Sequence, residues 1–219
     1  MARDFTSRAN LYVRGALGLI LAVAVIGVVA AFSYARSEWV SGMGRVIEQP
    51  VPFSHAHHVG GLGIDCRYCH TTVEFSSFAG MPATATCMRC HRELWTNAEL
   101  LEPVRESYRT GQPIRWQRVY DLPDFVFFDH SIHVTHGIGC ESCHGRVDQQ
   151  PLMAQRTSLF MRWCLDCHRD PAPHLRPLDE ITTMGYQPSA DAAVGVGERL
   201  MRLYDIQPET LTSCSACHW

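Results

Sequence analysis

One uncharged, strongly apolar run stands apart from the rest of the chain. Gly15 to Ala35 carries no charged side chain over 21 residues and is mainly Leu, Val, Ile and Ala. At a helical rise of about 1.5 Å per residue it reaches roughly 30 Å, enough for one bilayer crossing. Arg36 and Glu38 close it, with Tyr34 and Trp39 at interface positions. Arg3, Arg8 and Arg14 against Asp4 precede it, which predicts a cytoplasmic N-terminus and a C-terminal remainder on the far side. A cleaved signal peptide has a shorter apolar core of about 7–15 residues. The reading is therefore a cytoplasmic tail and retained single-pass anchor over residues 1–36.

Beyond the anchor the apolar pattern is broken. Residues 37–52 form a polar linker that ends in Gln49-Pro50-Val51-Pro52. Ala98–Tyr108 and Val194–Asp205 have helical character, while Pro113–Phe128 looks extended and holds several aromatics. The remaining segments are rich in Pro and Gly and predict loops. So little regular structure needs another source of core.

The cysteines supply it. All ten fall in five Cys-x-x-Cys-His motifs: Cys66/Cys69/His70, Cys87/Cys90/His91, Cys140/Cys143/His144, Cys164/Cys167/His168 and Cys214/Cys217/His218. That motif attaches a c-type haem. Two thiols form thioethers to the vinyl groups of one porphyrin, and the following His ligates the iron from beneath. One such motif is a weak signal. Five, each with its His and with no cysteine left over, set aside zinc pairs and disulfides. Five covalently bound haems would replace much of a side-chain core. The expected fold is a multihaem cytochrome c, mostly irregular, with short α-helices wrapped round five haems and one N-terminal transmembrane helix.

The stretch before the first motif returns before the third. Phe53-Ser54-His55-Ala56-His57-His58 is matched by Phe128-Asp129-His130-Ser131-Ile132-His133. Phe53 to Phe128 is 75 residues, Cys66 to Cys140 is 74 and Cys87 to Cys164 is 77. This reads as an internal duplication, with a dihaem half over 53–127 and a trihaem half over 128–219. His70, His91, His144, His168 and His218 are the proximal ligands. His55, His58, His130 and His133, recurring as F-x-H-x-x-H, are the expected distal ligands. The fifth distal ligand is open among His57, His136, His174, Met81, Met161 and Met184. Met184, in the long loop before the last motif, is the first choice and His174 the second. His57 is read as pointing away from His58, as neighbours in an extended segment do.

Charge narrows the partners. Every one of the 19 basic residues is Arg. From Glu38 onward the chain holds 21 acidic residues and 15 arginines, net −6 before any haem propionate is counted. That excludes nucleic acid as a partner. Six-coordinate haems leave no position for substrate, so the chemistry is outer-sphere electron transfer rather than catalysis. A pentahaem enzyme with Lys in place of the motif His is excluded because the chain has no Lys. Asp121 and Asp124 read as a solvated loop face.

The single anchor, the five motifs, Q-P-V-P-F-S-H-A-H-H, A-G-M-P-A-T-A-T-C-M-R-C-H and W-C-L-D-C-H-R-D-P together resemble one family. It is the pentahaem cytochrome c subunit (ActA) of bacterial alternative complex III. The resemblance covers nearly the whole chain. It implies an electron-relay subunit of a quinol-oxidising complex on the periplasmic side of the inner membrane. Implied partners are an iron–sulfur/molybdopterin-like protein, polytopic quinol-binding subunits, a monohaem cytochrome c and a soluble electron carrier. It also implies one His/Met-ligated haem, mapped here onto Met184. In multihaem cytochromes of similar pattern the first His of each pair serves the next haem in sequence, which gives His55 to the Cys66 haem and His130 to the Cys140 haem. The second His serves a different haem. The alternative is a stand-alone membrane-anchored quinol dehydrogenase resembling the NapC/NrfH group.

Overall fold

The computed structural model describes residues 6–189 and 195–218. Arg3, Asp4 and Val194 lie outside them. The chain divides into two compact units, one through Gly42 and one from Met43.

The first unit is dominated by the helix Ser7–Ala35, which Thr6 caps by accepting a hydrogen bond from the Ala9 N–H. Its side chains are exposed, Leu19, Ile20 and Leu21 among them. The span Arg8–Ser41 is long and apolar enough to cross a membrane.

The second unit holds both halves. Among its described residues the regular structure is short helices and turns, and strand pairing is confined to isolated bridges such as Val126 with His218. The second motif of each half lies on a helix of its own, Thr84–His91 and Met161–Arg169. The first motifs occupy single turns, Cys66–Cys69 and Glu141–His144. The expected helices over 98–108 and 194–205 appear as the turn Glu99–Leu101 leading into Glu102–Thr110, and as Val196–Leu203.

Side-chain core is sparse. One cluster joins Val51, Met88, Leu101 and Val104, with Ile114 and Trp116 against it. It fastens the haem-free helix Glu102–Thr110 to the helix of the second motif. A second tie is Arg176, nearly buried, which pairs with Glu141 at 3.1 Å and donates to the Thr183 carbonyl at 2.9 Å. Large apolar side chains near the motifs, including Phe75, Phe78, Trp95 and Met161, are exposed in the protein alone. They are surface that porphyrin faces would cover.

Candidate haem sites

The F-x-H-x-x-H segments build the site from local geometry. His55 precedes a π-type turn, Ala56–Gly61, and His130 opens the helix His130–Thr135. Residues three apart on such a turn share a face, so each pair of histidines projects together. The preceding Phe braces both rings in the same way in the two copies. Phe53 meets His55 edge-on at 4.9 Å and stacks on His58 at 4.3 Å. Phe128 meets His130 edge-on at 4.8 Å and stacks on His133 at 4.7 Å. The first segment is thus helical where an extended course was expected. His57 is exposed, and its ring meets that of His58 edge-on at 5.2 Å rather than pointing away from it.

Hydrogen bonds fix the tautomers. A carbonyl oxygen only accepts, so a ring Nδ1 bonded to one must carry the proton, and Nε2 is left with a lone pair. Nδ1 of His58 donates to Ser54, His130 to Ser77 and His133 to Asp129, at 2.8, 2.8 and 2.7 Å. On the motif side Nδ1 of His70 donates to Gly80 at 2.7 Å, His91 to Leu94 at 3.3 Å, His168 to Leu211 at 3.0 Å and His218 to Phe125 at 3.4 Å. Outer hydrogen bonds of this kind orient metal-ligating imidazoles. His55 differs: its Nδ1 is buried with no partner.

The rings oppose one another at a telling distance. A metal–imidazole bond is about 2 Å and the ring centre lies roughly 1 Å further out, so two imidazoles on opposite faces of one iron have centres about 6 Å apart. His58 and His91 are 6.2 Å apart, His130 and His144 are 6.4 Å, and His133 and His168 are 6.1 Å. His55 lies close enough to both His70 and His144 for the charged forms to repel. Burial, with the repulsion from His70 second, lowers the His55 imidazole to about 4. Burial does the same to His144, helped by His130, His70 and His55. His58 and His133 are lowered in the same direction, chiefly by burial. The donor set therefore suits haem: imidazoles in opposed pairs, each beside a Cys-x-x-Cys turn whose thiols are free.

The resemblance had implied partners for the first His of each pair, His55 with the Cys66 motif and His130 with the Cys140 motif; those of His58 and His133 went unread in the sequence, although the F-x-H-x-x-H repeat pointed to the residues. Met184 is placed differently. Its loop is held to the neighbours of the first and third motifs, through Thr182 to Asp65 at 2.9 Å and Gly185 to Glu141. His218 packs on Phe125 at 5.7 Å, and Cys217 lies within electrostatic reach of Cys164. His174 is exposed. His136 Nδ1 donates to Ile132 at 2.6 Å.

A search of curated proteins agrees with this chemistry. The chain is 41% identical over 98 residues to the menaquinone reductase, multiheme cytochrome c subunit, of Nitratidesulfovibrio vulgaris (strain Hildenborough), covering 44% of this chain and 46% of that protein. The chain is a multihaem cytochrome c. Its five Cys-x-x-Cys pairs accept five covalent c-type haems. The alignment spans about half the length of that relative, so only the type of protein is carried across. No family model matches the chain.

Proposed function

We propose that this multihaem cytochrome c is the membrane-anchored electron-transfer subunit of a quinone-linked complex. It relays electrons from quinol oxidation to a monohaem cytochrome or soluble carrier, as in alternative complex III. The observation that carries the electron-transfer role is the set of opposed histidine rings, of which His58, His70, His91, His130, His133 and His168 have Nδ1–H tied to a carbonyl. On this reading His55 and His70, His58 and His91, His130 and His144, and His133 and His168 hold four irons from both faces. A six-coordinate haem c supplies reversible one-electron exchange with no open position for substrate. The protein's part is to hold the imidazoles in one orientation, with the Nδ1–H bonds and the Phe53 and Phe128 ring contacts.

For the fifth site His218 is the proximal ligand and Met184 the expected distal one. Met161 competes with it. It stands one turn before Cys164 on the same helix, and Cys164 faces Cys217. A thioether ligand gives a near-infrared charge-transfer band. Loss of that band in Met184→Ala or in Met161→Ala, but not in the other, identifies the ligand.

The anchor helix supports a periplasmic haem domain held at the inner membrane, with the N-terminus cytoplasmic. N-terminal sequencing of the mature protein that begins after Ala35 would overturn this. Purification from membranes in mild detergent tests the complex. Co-migration with a large iron–sulfur protein and polytopic subunits is expected. A solitary subunit that oxidises quinol unaided would sink this reading and favour the NapC/NrfH-like one. The relative named a menaquinone reductase favours the opposite direction of flow. Menaquinone reduction by the complex from a reduced soluble cytochrome, with no quinol oxidation, would establish it.

A further inference from the structure

Chain order and spatial order differ among the five sites. His55 and His58 lie on one turn, yet His55 lies beside His70 and His58 faces His91. The first and second sites are therefore neighbours, and Cys69 is within electrostatic reach of Cys87. In the second half His130 faces His144 while His133 faces His168. The third and fourth sites are neighbours in the same way, and Cys143 lies close to Cys164 and Cys167.

The halves meet through their first motifs. The thiols of Cys66 and Cys140 lie close enough to perturb one another. His130, which faces the third motif, is tied through Nδ1 to Ser77 of the first half. Gln150 is fully buried at this joint: its Nε2 donates to the His144 carbonyl at 2.8 Å and its own carbonyl accepts from the Ala56 N–H at 3.0 Å. Gly60 lies so close to the Asp148 carbonyl that a Cβ there would come within 2.3 Å. The fifth motif joins at the outer side of the fourth. Leu211, just before it, accepts from His168 Nδ1, and Cys217 lies near Cys164.

We infer that the five sites form one unbranched row in the order Cys87, Cys66, Cys140, Cys164, Cys214, so that the second and fifth motifs of the chain are its two electron ports. The inference rests on the reading of the motifs as haem sites. An independent observation agrees with it. Of the ten cysteines only Cys90 and Cys214 are exposed, and they belong to the two motifs that the contacts put at the ends. A partner's redox centre thus meets the chain at the turn of Cys90 or the turn of Cys214, and the cysteines of the three inner sites are less exposed than these two.

Iron-edge anomalous diffraction from the full-length holoprotein, purified in detergent, tests the order. Each iron is assigned by the motif its porphyrin is bonded to. The expected result is five peaks in which each iron has its nearest neighbours as in the row. A Cys87 iron nearest to the Cys140 or Cys164 iron, or a Cys214 iron nearest to any site but Cys164, overturns it. Haem content, counted separately by mass, distinguishes the failures: fewer than five haems on intact motifs refutes the haem reading, whereas five haems in another order refutes only the row.

Discussion

Replacing His58 by Ala isolates the clamp. In the folded chain His58 donates from Nδ1 to the Ser54 carbonyl, stacks on Phe53 and presents Nε2 toward His91. Truncation removes one neutral hydrogen bond, worth about 1 kcal/mol, and part of one ring contact, worth about 0.5–1.5 kcal/mol. The total is small against the stability of a typical domain, about 5–15 kcal/mol, so the protein stays folded. The spectroscopic effect is large by contrast. The iron at Cys87 loses one of two axial ligands, and one site in five becomes five-coordinate. The expected signature is a new high-spin ferric signal amounting to one haem per chain, with carbon monoxide binding raised by one equivalent. His58→Met should restore six-coordination at that site with a higher potential. The site is identified by a double-variant comparison. In a Cys87→Ala/Cys90→Ala background, which lacks that haem, adding His58→Ala should give no further high-spin signal. If a high-spin signal still appears in that background, His58 serves another iron and the clamp reasoning is refuted.

Three further outcomes are expected. Axial ring planes set the anisotropy of low-spin ferric haem. The nearly parallel His130 and His144 (6°) should give a rhombic signal, and the crossed His58 and His91 (62°) a broad one with a large maximum g value, lost selectively in His58→Ala. Gln150→Leu strips partners from the His144 carbonyl and the Ala154 N–H, so chemical unfolding should show a loss of about 1–3 kcal/mol for each group left buried and unpaired. Arg176→Leu leaves Glu141 facing a low-dielectric site without its cation, a cost of about 3–5 kcal/mol in thermal melts, part of which Glu141→Gln in the same chain should recover.

The features legible in the sequence are those carried by local spacing. The 21-residue apolar run needs only its length to read as a span, and the Cys-x-x-Cys-His turn needs only its five residues. The F-x-H-x-x-H pairs are equally local, because the Phe, both histidines and the Nδ1 acceptor of each second His, Ser54 or Asp129, lie within one or two turns. What could not be read is where Nε2 of each second His points, since His58 meets His91 and His133 meets His168 across contacts that no local pattern encodes. The course of 53–58 was misread for a related reason. An extended course was assumed in placing His57 opposite His58, but the histidines are held by ring contacts and, at His58, by a carbonyl one turn back, in a helical turn.

The row also explains why a duplicated segment can lengthen an electron path without branching it. In each half the first His of the pair turns to the motif that follows it and the second turns to the next motif along, so each half has an inner site and an outer one. Joined through Cys66 and Cys140, the inner sites become the middle of the row and the outer ones its flanks. The joint is made of backbone and buried amide contacts at Gly60, Asp148 and Gln150. The fifth motif meets the outer side of the fourth site, where Leu211 accepts from His168. It extends the path by one step at one end, and the Cys87 end keeps the same port it would have had with four.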